Sequence, residues 1–135
     1  MKLQHSNYNT ESVLKGHPDK ICDQISDLIL DSYLEKDNNS HVAVESLGCT
    51  GKIVLAGEVS SHAEIDLNNL ILGYYNSIGY HDDIEVFNFL SIQSNQLSSA
   101  VVDGRAGDQG VMYGYACNSP KCNYLPCGSF FANAL

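Results

Sequence analysis

The feature that most constrains this chain is a short polar cluster followed at once by an apolar helical repeat. The cluster is Gly16–Lys20, with the sequence Gly-His-Pro-Asp-Lys. The apolar residues that follow are Ile21, Ile25, Leu28, Ile29 and Tyr33. Steps of three and four residues are typical of one face of an α-helix. Proline suits a first helical position, because that turn does not need the missing N–H. The pattern therefore predicts a helix from Pro18 to about Lys36.

The polar cluster has two interpretations. Free backbone N–H groups and the helix dipole attract anions at a helix N-terminus. His17 and Lys20 add donors for phosphate, and Asp19 can hold a divalent cation that bridges phosphate oxygens. Together these groups describe a nucleotide-phosphate site. Ordinary helix capping also explains proline and aspartate in a first turn, and for the cluster taken alone it is the simpler explanation.

Hydrophobic periodicity predicts two helices and about four strands. The predicted strands are His41–Cys49, Lys52–Ser60, Ile84–Ile92 and Gly110–Cys117. The second helix runs from about Asp66 to Ile78, and residues 93–107 form a loop long enough to be functional. These elements indicate an α+β fold, with two helices packed on a mostly antiparallel sheet. A turn at Thr50-Gly51 joins the first two strands into a hairpin. We expect its buried face to carry Val42, Val44, Leu47, Ile53, Leu55 and Val59.

Composition narrows the class of protein. A chain of 135 residues with 44% apolar residues fits one globular domain. Its net charge of −9 argues against nucleic acid or an anionic membrane as the main partner. The N-terminus does not resemble a signal peptide and no apolar run approaches spanning length, so we expect a cytoplasmic protein with reduced cysteines. Cys117, Cys122 and Cys127 are spaced by five residues, which does not match the C-x-x-C pair of a zinc site. We therefore expect free thiols. The apolar ending, residues 130–135, is expected to stop inside an element or to pack on a partner.

Three further carboxylates have both a structural and a functional interpretation. Glu45 and Glu58 lie among apolar strand residues, and counting from the hairpin turn makes them near neighbours that are not directly opposite. If both face a cleft, they can hold a cation or an amino group, whereas on a solvated face they are ordinary surface residues. Asp108 lies between glycines ahead of the last predicted strand, where it can present a carboxylate to a ligand or form a simple turn.

Taken in order, these motifs resemble the opening of S-adenosylmethionine synthetase, the methionine adenosyltransferase family. The segments that carry the resemblance are Glu11–Val13, Gly16–Ile21, Asp23–Asp27, Thr50–Gly51, Gly57–Val59, Ile78–Tyr80, Gln93–Ser94 and Ala106–Gly110. The resemblance begins near residue 8 and corresponds to roughly the first third of the family's length. It implies that residues 1–135 form an incomplete N-terminal synthetase-like domain, with a flexible lid-like loop at about 93–107.

The resemblance also implies a reaction and a set of site residues. In this family the methionine sulfur attacks the ribose C5′ of ATP, and the released tripolyphosphate is hydrolysed to phosphate and diphosphate. His17 is then expected to be the catalytic and ATP-binding residue, in contact with the triphosphate. Asp19 is expected to ligate Mg²⁺, and Glu45 to serve a K⁺ site. The residues expected to bind methionine are Glu58, Gln93 and Asp108.

The chain also departs from the family pattern. Lys15 stands where the family usually has glutamate, the lid sequence after Gln93-Ser94 differs, and Arg105 replaces a small residue. The family's later catalytic lysines, arginine and second metal-binding aspartate lie beyond Leu135, so we expect the isolated chain to be inactive. Family active sites lie between two subunits, which implies a homo-oligomer (a dimer of dimers) or assembly with a longer synthetase subunit. The alternative hypothesis is a non-catalytic fragment or accessory subunit.

Overall fold

The computed structural model describes residues 9–92 and 110–135. The elements in chain order are α1 (Pro18–Lys36), β1 (His41–Cys49), β2 (Lys52–Ser60), α2 (Leu67–Ser77), β3 (Glu85–Ile92), a 3-10 helix (Pro120–Cys122) and α3 (Cys127–Ala134). The described residues belong to two compact units, one containing residues 15–92 and the other containing residues 9–14 and 110–135.

The larger unit has a mixed three-stranded sheet in the order β1-β2-β3. β1 and β2 form the predicted antiparallel hairpin, whereas β2 and β3 are parallel. A parallel pair needs a crossover connection, and α2 supplies it. The α+β class is therefore confirmed, with three strands in the described residues instead of about four. The predicted fourth strand is wrong, because residues 110–117 carry no strand.

One face of the sheet packs against both helices. The core residues are Ile21, Ile25, Ile29 and Tyr33 from α1, Val44, Ile53 and Leu55 from the hairpin, and Leu67 and Ile71 from α2. α1 runs antiparallel to β1, since Cys22 lies against Gly48 and the hydroxyl oxygens of Ser26 and Ser46 are 2.9 Å apart. The N-terminus of α1 therefore lies at the turn end of the hairpin.

The predicted buried face of the hairpin is right except for Leu47. Val44, Ile53 and Leu55 are buried, while Val42 and Val59 are partly buried against the core. Leu47 is 66% exposed and lies opposite Val54. Side chains alternate between the two faces of a strand, so an odd-numbered position of β1 points away from the face used by residues 42 and 44.

The smaller unit contains the 3-10 helix and α3. A disulfide joins Cys122 to Cys127, which corrects the expectation that these residues are free thiols; Cys22, Cys49 and Cys117 are free. The spacing of five residues differs from C-x-x-C, and it allows a bond because the turn between the two elements brings the cysteines together. Within residues 9–92 and 110–135, no helix is long and apolar enough to cross a membrane.

Candidate functional site

The start of α1 combines a helix cap with an unused hydrogen-bond donor. His17 is the N-cap residue, and its Nδ1 accepts the backbone N–H of Asp19 at 3.2 Å. Pro18 occupies the first turn, and the His17 carbonyl accepts the N–H of Ile21 at 2.9 Å. Because Nδ1 is an acceptor here, the neutral imidazole carries its proton on Nε2. The Nε2–H can then donate to an anion, so capping and phosphate binding are compatible roles for His17.

Asp19 supplies a negative charge beside this donor. Its Oδ2 lies 4.0 Å from His17 Nδ1, and its side chain is 89% exposed, against 43% for His17. A carboxylate in the first turn stabilises the helix through the dipole. Its exposure leaves the oxygens of Asp19 available to a cation that an anionic ligand brings with it.

A pair of stacked tyrosines lies beside the start of α1, and one of them hydrogen-bonds to the residue before the helix cap. The Tyr80 hydroxyl donates to the Gly16 carbonyl oxygen at 3.1 Å, and a Cβ on Gly16 would lie 2.9 Å from that hydroxyl. Tyr80 stacks on Tyr75, with ring centroids 5.0 Å apart. The Tyr75 hydroxyl in turn donates to the Asp82 carboxylate at 3.2 Å. Burial, and then the neighbouring Asp82 carboxylate, raise the pKa of Tyr75, which keeps this hydroxyl a donor.

Gly16, Pro18 and the tyrosine pair line a cavity of about 440 Å³, whereas His17 and Asp19 lie outside its lining. Its walls are the residues around the α1 N-terminus, the hairpin turn at Thr50-Gly51, and the tyrosine pair with Asp82. A cavity of this size can hold part of a small molecule. The sequence interpretation missed Tyr75 and Asp82. The only signal was Tyr80, which lies in one of the segments that carry the family resemblance.

Glu45 and Glu58 lie on the outer face of the sheet, opposite the helices. Glu45 is paired with Ala56, and Glu58 is paired with Ala43. The register therefore makes the two glutamates diagonal neighbours on one face, as the sequence predicted. Glu45 is exposed and Glu58 is half-buried.

Among the described residues, Glu58 lies away from the predicted phosphate residues of the same copy of the chain. The α1 N-terminus lies at the hairpin turn, whereas Glu58 is six residues along β2 from Lys52. At the usual rise per strand residue, that separation is about 20 Å. Gln93 and Asp108 lie outside the described residues.

The described residues fit Mg²⁺ better than K⁺. In residues 9–92 and 110–135, no group of three His, Cys, Asp or Glu side chains could hold a metal ion. Mg²⁺ is commonly held by one or two carboxylates together with substrate phosphates and water, so Asp19 beside an anion site is a suitable ligand. K⁺ needs a larger set of oxygen ligands. Glu45 alone does not supply that set.

Comparisons with known proteins give one consistent result. Residues 5–103 match the family described as S-adenosylmethionine synthetase, N-terminal domain. The S-adenosylmethionine synthases of Salinibacter ruber and Parabacteroides distasonis are 46% and 40% identical to this chain over 95% of its length, and the matches cover 36% and 33% of those proteins. The structure of an unusual S-adenosylmethionine synthetase from Campylobacter jejuni matches with a TM-score of 0.75 and 34% identity, over 87% of this chain and 32% of that one.

The α+β fold and these matches define the N-terminal domain of a synthetase family. The chain belongs to the S-adenosylmethionine synthetase family, as the order of its motifs predicted. It spans about a third of the length of the relatives that it matches.

Proposed function

We propose that this chain provides the N-terminal part of a methionine adenosyltransferase site. Such a site forms S-adenosylmethionine from ATP and L-methionine and releases phosphate and diphosphate. The observation that carries the proposal is the geometry of His17, whose Nδ1 accepts a backbone N–H and so leaves the Nε2–H for an anion. The family to which the chain belongs supports the choice of substrates.

In the proposed reaction, negative charge builds up on the tripolyphosphate as the methionine sulfur attacks the ribose C5′. The His17 Nε2–H donates to a phosphate oxygen. The backbone N–H of Lys20 adds a second donor, because Pro18 has no N–H and the N–H of Asp19 is already bound to the His17 side chain. Asp19 holds Mg²⁺, which when bound neutralises part of the phosphate charge. Lys20 is half-buried in the same turn and contributes a positive charge.

The methionine part of the proposed site uses residues outside this cluster. Glu58 binds the methionine ammonium group, and Gln93 and Asp108 complete the contacts with methionine. Residues 93–107 act as the lid that closes over bound substrates. Glu45 contributes one oxygen ligand to a K⁺ site whose other ligands lie beyond the described residues.

A second subunit is needed to bring these parts together. Because about 20 Å separates the α1 N-terminus from Glu58 along β2, we propose that each site combines His17 and Asp19 of one subunit with Glu58 of another. The outer sheet face supports this arrangement, since it exposes Leu47 and Phe89 at 66% and 67%. The partner is a second copy in a dimer of dimers or a longer synthetase subunit, and we propose the cytoplasm as the compartment.

The same separation favours a second candidate function. The described residues of a single copy do not assemble both halves of the site, so a non-catalytic accessory subunit is also consistent with the geometry. The two candidates differ in whether groups of this chain take part in turnover once a longer synthetase subunit is present. They share the phosphate site at the α1 N-terminus.

Binding and turnover test these proposals together. The purified chain is titrated with tripolyphosphate and Mg²⁺ by calorimetry, and is separately incubated with ATP, methionine, Mg²⁺ and K⁺ for detection of S-adenosylmethionine and phosphate. We expect His17→Ala and Asp19→Asn each to weaken tripolyphosphate binding about tenfold or more, the loss for a charge-assisted contact. Asp31→Asn is the matched control, because Asp31 is an exposed aspartate near the other end of α1.

The results distinguish the two candidate functions and test the phosphate site. Product from the chain alone contradicts the accessory role, and phosphate binding without product contradicts a self-sufficient enzyme. In an active assembly with a longer synthetase subunit, loss of turnover in His17→Ala supports the catalytic role, and unchanged turnover supports the accessory role. Absence of tripolyphosphate binding, or equal effects of the Asp19 and Asp31 variants, overturns the assignment of the phosphate site.

A further inference from the structure

The Cys122–Cys127 disulfide joins two elements that the proposed reaction does not use. Cys122 is the last residue of the 3-10 helix and Cys127 is the first residue of α3, with their Cα atoms 5.3 Å apart. Cys122 is 4% exposed, whereas Cys127 is exposed. One sulfur of the pair is therefore attached to a buried residue and the other to a residue that solvent reaches.

α3 is a short, partly exposed helix in the described structure. It is eight residues long, none of its residues is buried, and its N-cap Pro126 makes no side-chain capping hydrogen bond. A helix of this length is not stable by itself in water. The side-chain contacts from α3 to the N-terminal segment are exposed and polar, and they include the 2.6 Å bond from Ser12 Oγ to Asn133 Oδ1. The disulfide fixes the end at which the helix begins.

The loop between the two cysteines is held in an unfavourable conformation. Asn123 and Tyr124 both have positive φ values, 53° and 59°. Asparagine adopts this left-handed region readily, but tyrosine does so at a cost. Backbone hydrogen bonds also hold this loop, including the one from the Leu125 N–H to the Cys122 carbonyl at 3.0 Å. The disulfide adds the covalent restraint, and opening it would allow the strained loop to relax and to direct the chain into α3 less strictly.

We propose that Cys122 and Cys127 form a reversible thiol–disulfide switch that orders α3 when oxidised and releases it when reduced. The oxidant is a low-molecular-weight disulfide such as glutathione disulfide. The exposed Cys127 thiolate attacks one of its sulfurs, forming a mixed disulfide and expelling one glutathione thiolate. The Cys122 thiolate then attacks Cys127 Sγ and expels the second glutathione thiolate. The two protons lost by the cysteines end on the two glutathione thiols, so one disulfide is reduced for each one formed.

Thiol trapping and hydrogen exchange on the full chain test the switch. The chain is equilibrated in glutathione buffers of different ratio, and its free thiols are alkylated with N-ethylmaleimide and counted by mass. Of the five cysteines, we expect three to react under oxidising conditions and all five under reducing conditions. We expect the amides of α3 to exchange about tenfold faster or more in the reduced chain, because a released helix opens locally.

Two variants control for general effects of cysteine loss. Cys127→Ser removes an exposed sulfur, and we expect α3 in this variant to exchange at the fast rate in every buffer. Cys117→Ser removes a free thiol, and we expect it to keep the redox response. Five reactive thiols in glutathione disulfide, a different pairing on peptide mapping, or exchange of α3 that does not depend on the redox state would each overturn the proposal.

Discussion

Gly57 offers a sharp test of the β1–β2 pairing, because its position forbids any side chain. Its φ is 137°, a conformation that residues with a Cβ rarely adopt. A Cβ built on Gly57 would lie 2.0 Å from the carbonyl oxygen of Ala43, on the neighbouring strand. The clashing atom belongs to the backbone, so a side-chain rotation cannot relieve the clash. Gly57→Ala must therefore displace one strand from the other.

The expected cost has two parts. The backbone conformation alone costs an L-residue about 1–3 kcal/mol. The clash is shorter than ordinary van der Waals contact by more than 1 Å. A strand shift of that size breaks one or two hydrogen bonds beside the pair of Val44 with Gly57, each of about 0.5–1.5 kcal/mol. We expect Gly57→Ala to lower the free energy of unfolding by about 1.5–6 kcal/mol, the sum of the two parts, against the 5–15 kcal/mol usual for a domain.

Urea unfolding followed by far-ultraviolet circular dichroism measures this cost. Gly73→Ala is the matched control, because Gly73 lies in α2 with open space around its Cβ position. The same substitution there should stabilise the chain by about 0.5–1 kcal/mol, the helix preference of alanine over glycine. If Gly57→Ala unfolds within about 1 kcal/mol of the parent chain, the β1–β2 register or the backbone conformation at Gly57 is wrong.

Three further substitutions test the core, the end of α1 and the cavity. Leu55 is fully buried, so we expect Leu55→Ala to lower the free energy of unfolding, measured with urea, by about 2–5 kcal/mol. Leu47 lies on the outer face, so we expect Leu47→Ala to lower it by no more than about 0.5 kcal/mol. Similar losses for the two variants would contradict the assignment of faces. Backbone N–H donors from His62 and then Asn39 lower the pKa of the Asp37 carboxyl, so its contribution to stability is present above about pH 4 and is lost as the pH falls through the folded-state pKa. Asp37→Asn should therefore destabilise the chain at pH 7, and its difference from the parent chain in urea midpoint should shrink between pH 5 and about pH 2; a constant difference would contradict this origin. Tyr80→Phe removes the donor to the Gly16 carbonyl. We expect it to lower the free energy of unfolding by about 0.5–1.5 kcal/mol and to weaken tripolyphosphate binding, both measured on one preparation. Unchanged binding would show that this contact does not position the start of α1.

Much of the fold could be predicted because its elements have strong local signals. The bounds of α1, β1 and β2 agree with the prediction, and those of α2 and β3 agree to within about one residue. Residues 110–117 are rich in apolar and aromatic residues, as strands often are. A strand also needs a partner, and no pattern within the segment reveals whether one exists. α3 has no comparable signal, since it is short and has no side-chain cap.

In the candidate site too, the features set by nearby residues could be predicted, and those that depend on contacts between distant segments could not. The cap at His17 and the diagonal relation of Glu45 and Glu58 follow from spacing along the chain, and both could be inferred. The hydrogen bond from Tyr80 to Gly16 joins residues 64 positions apart. Only the parallel return of β3 after α2 brings that loop to the α1 N-terminus, and periodicity does not specify that return.

The acidic composition also constrains how the α1 N-terminus can bind a polyphosphate. A net charge of −9 repels the ligand at a distance, but at physiological salt that repulsion is screened beyond about 8 Å. Attraction must therefore come from groups in direct contact: the backbone N–H and ammonium of Lys20 and the His17 Nε2–H. Asp19 opposes the anion unless a cation lies between them. The cluster thus favours a phosphate that arrives with its metal ion over a free phosphate, which is the form in which cells supply a nucleoside triphosphate.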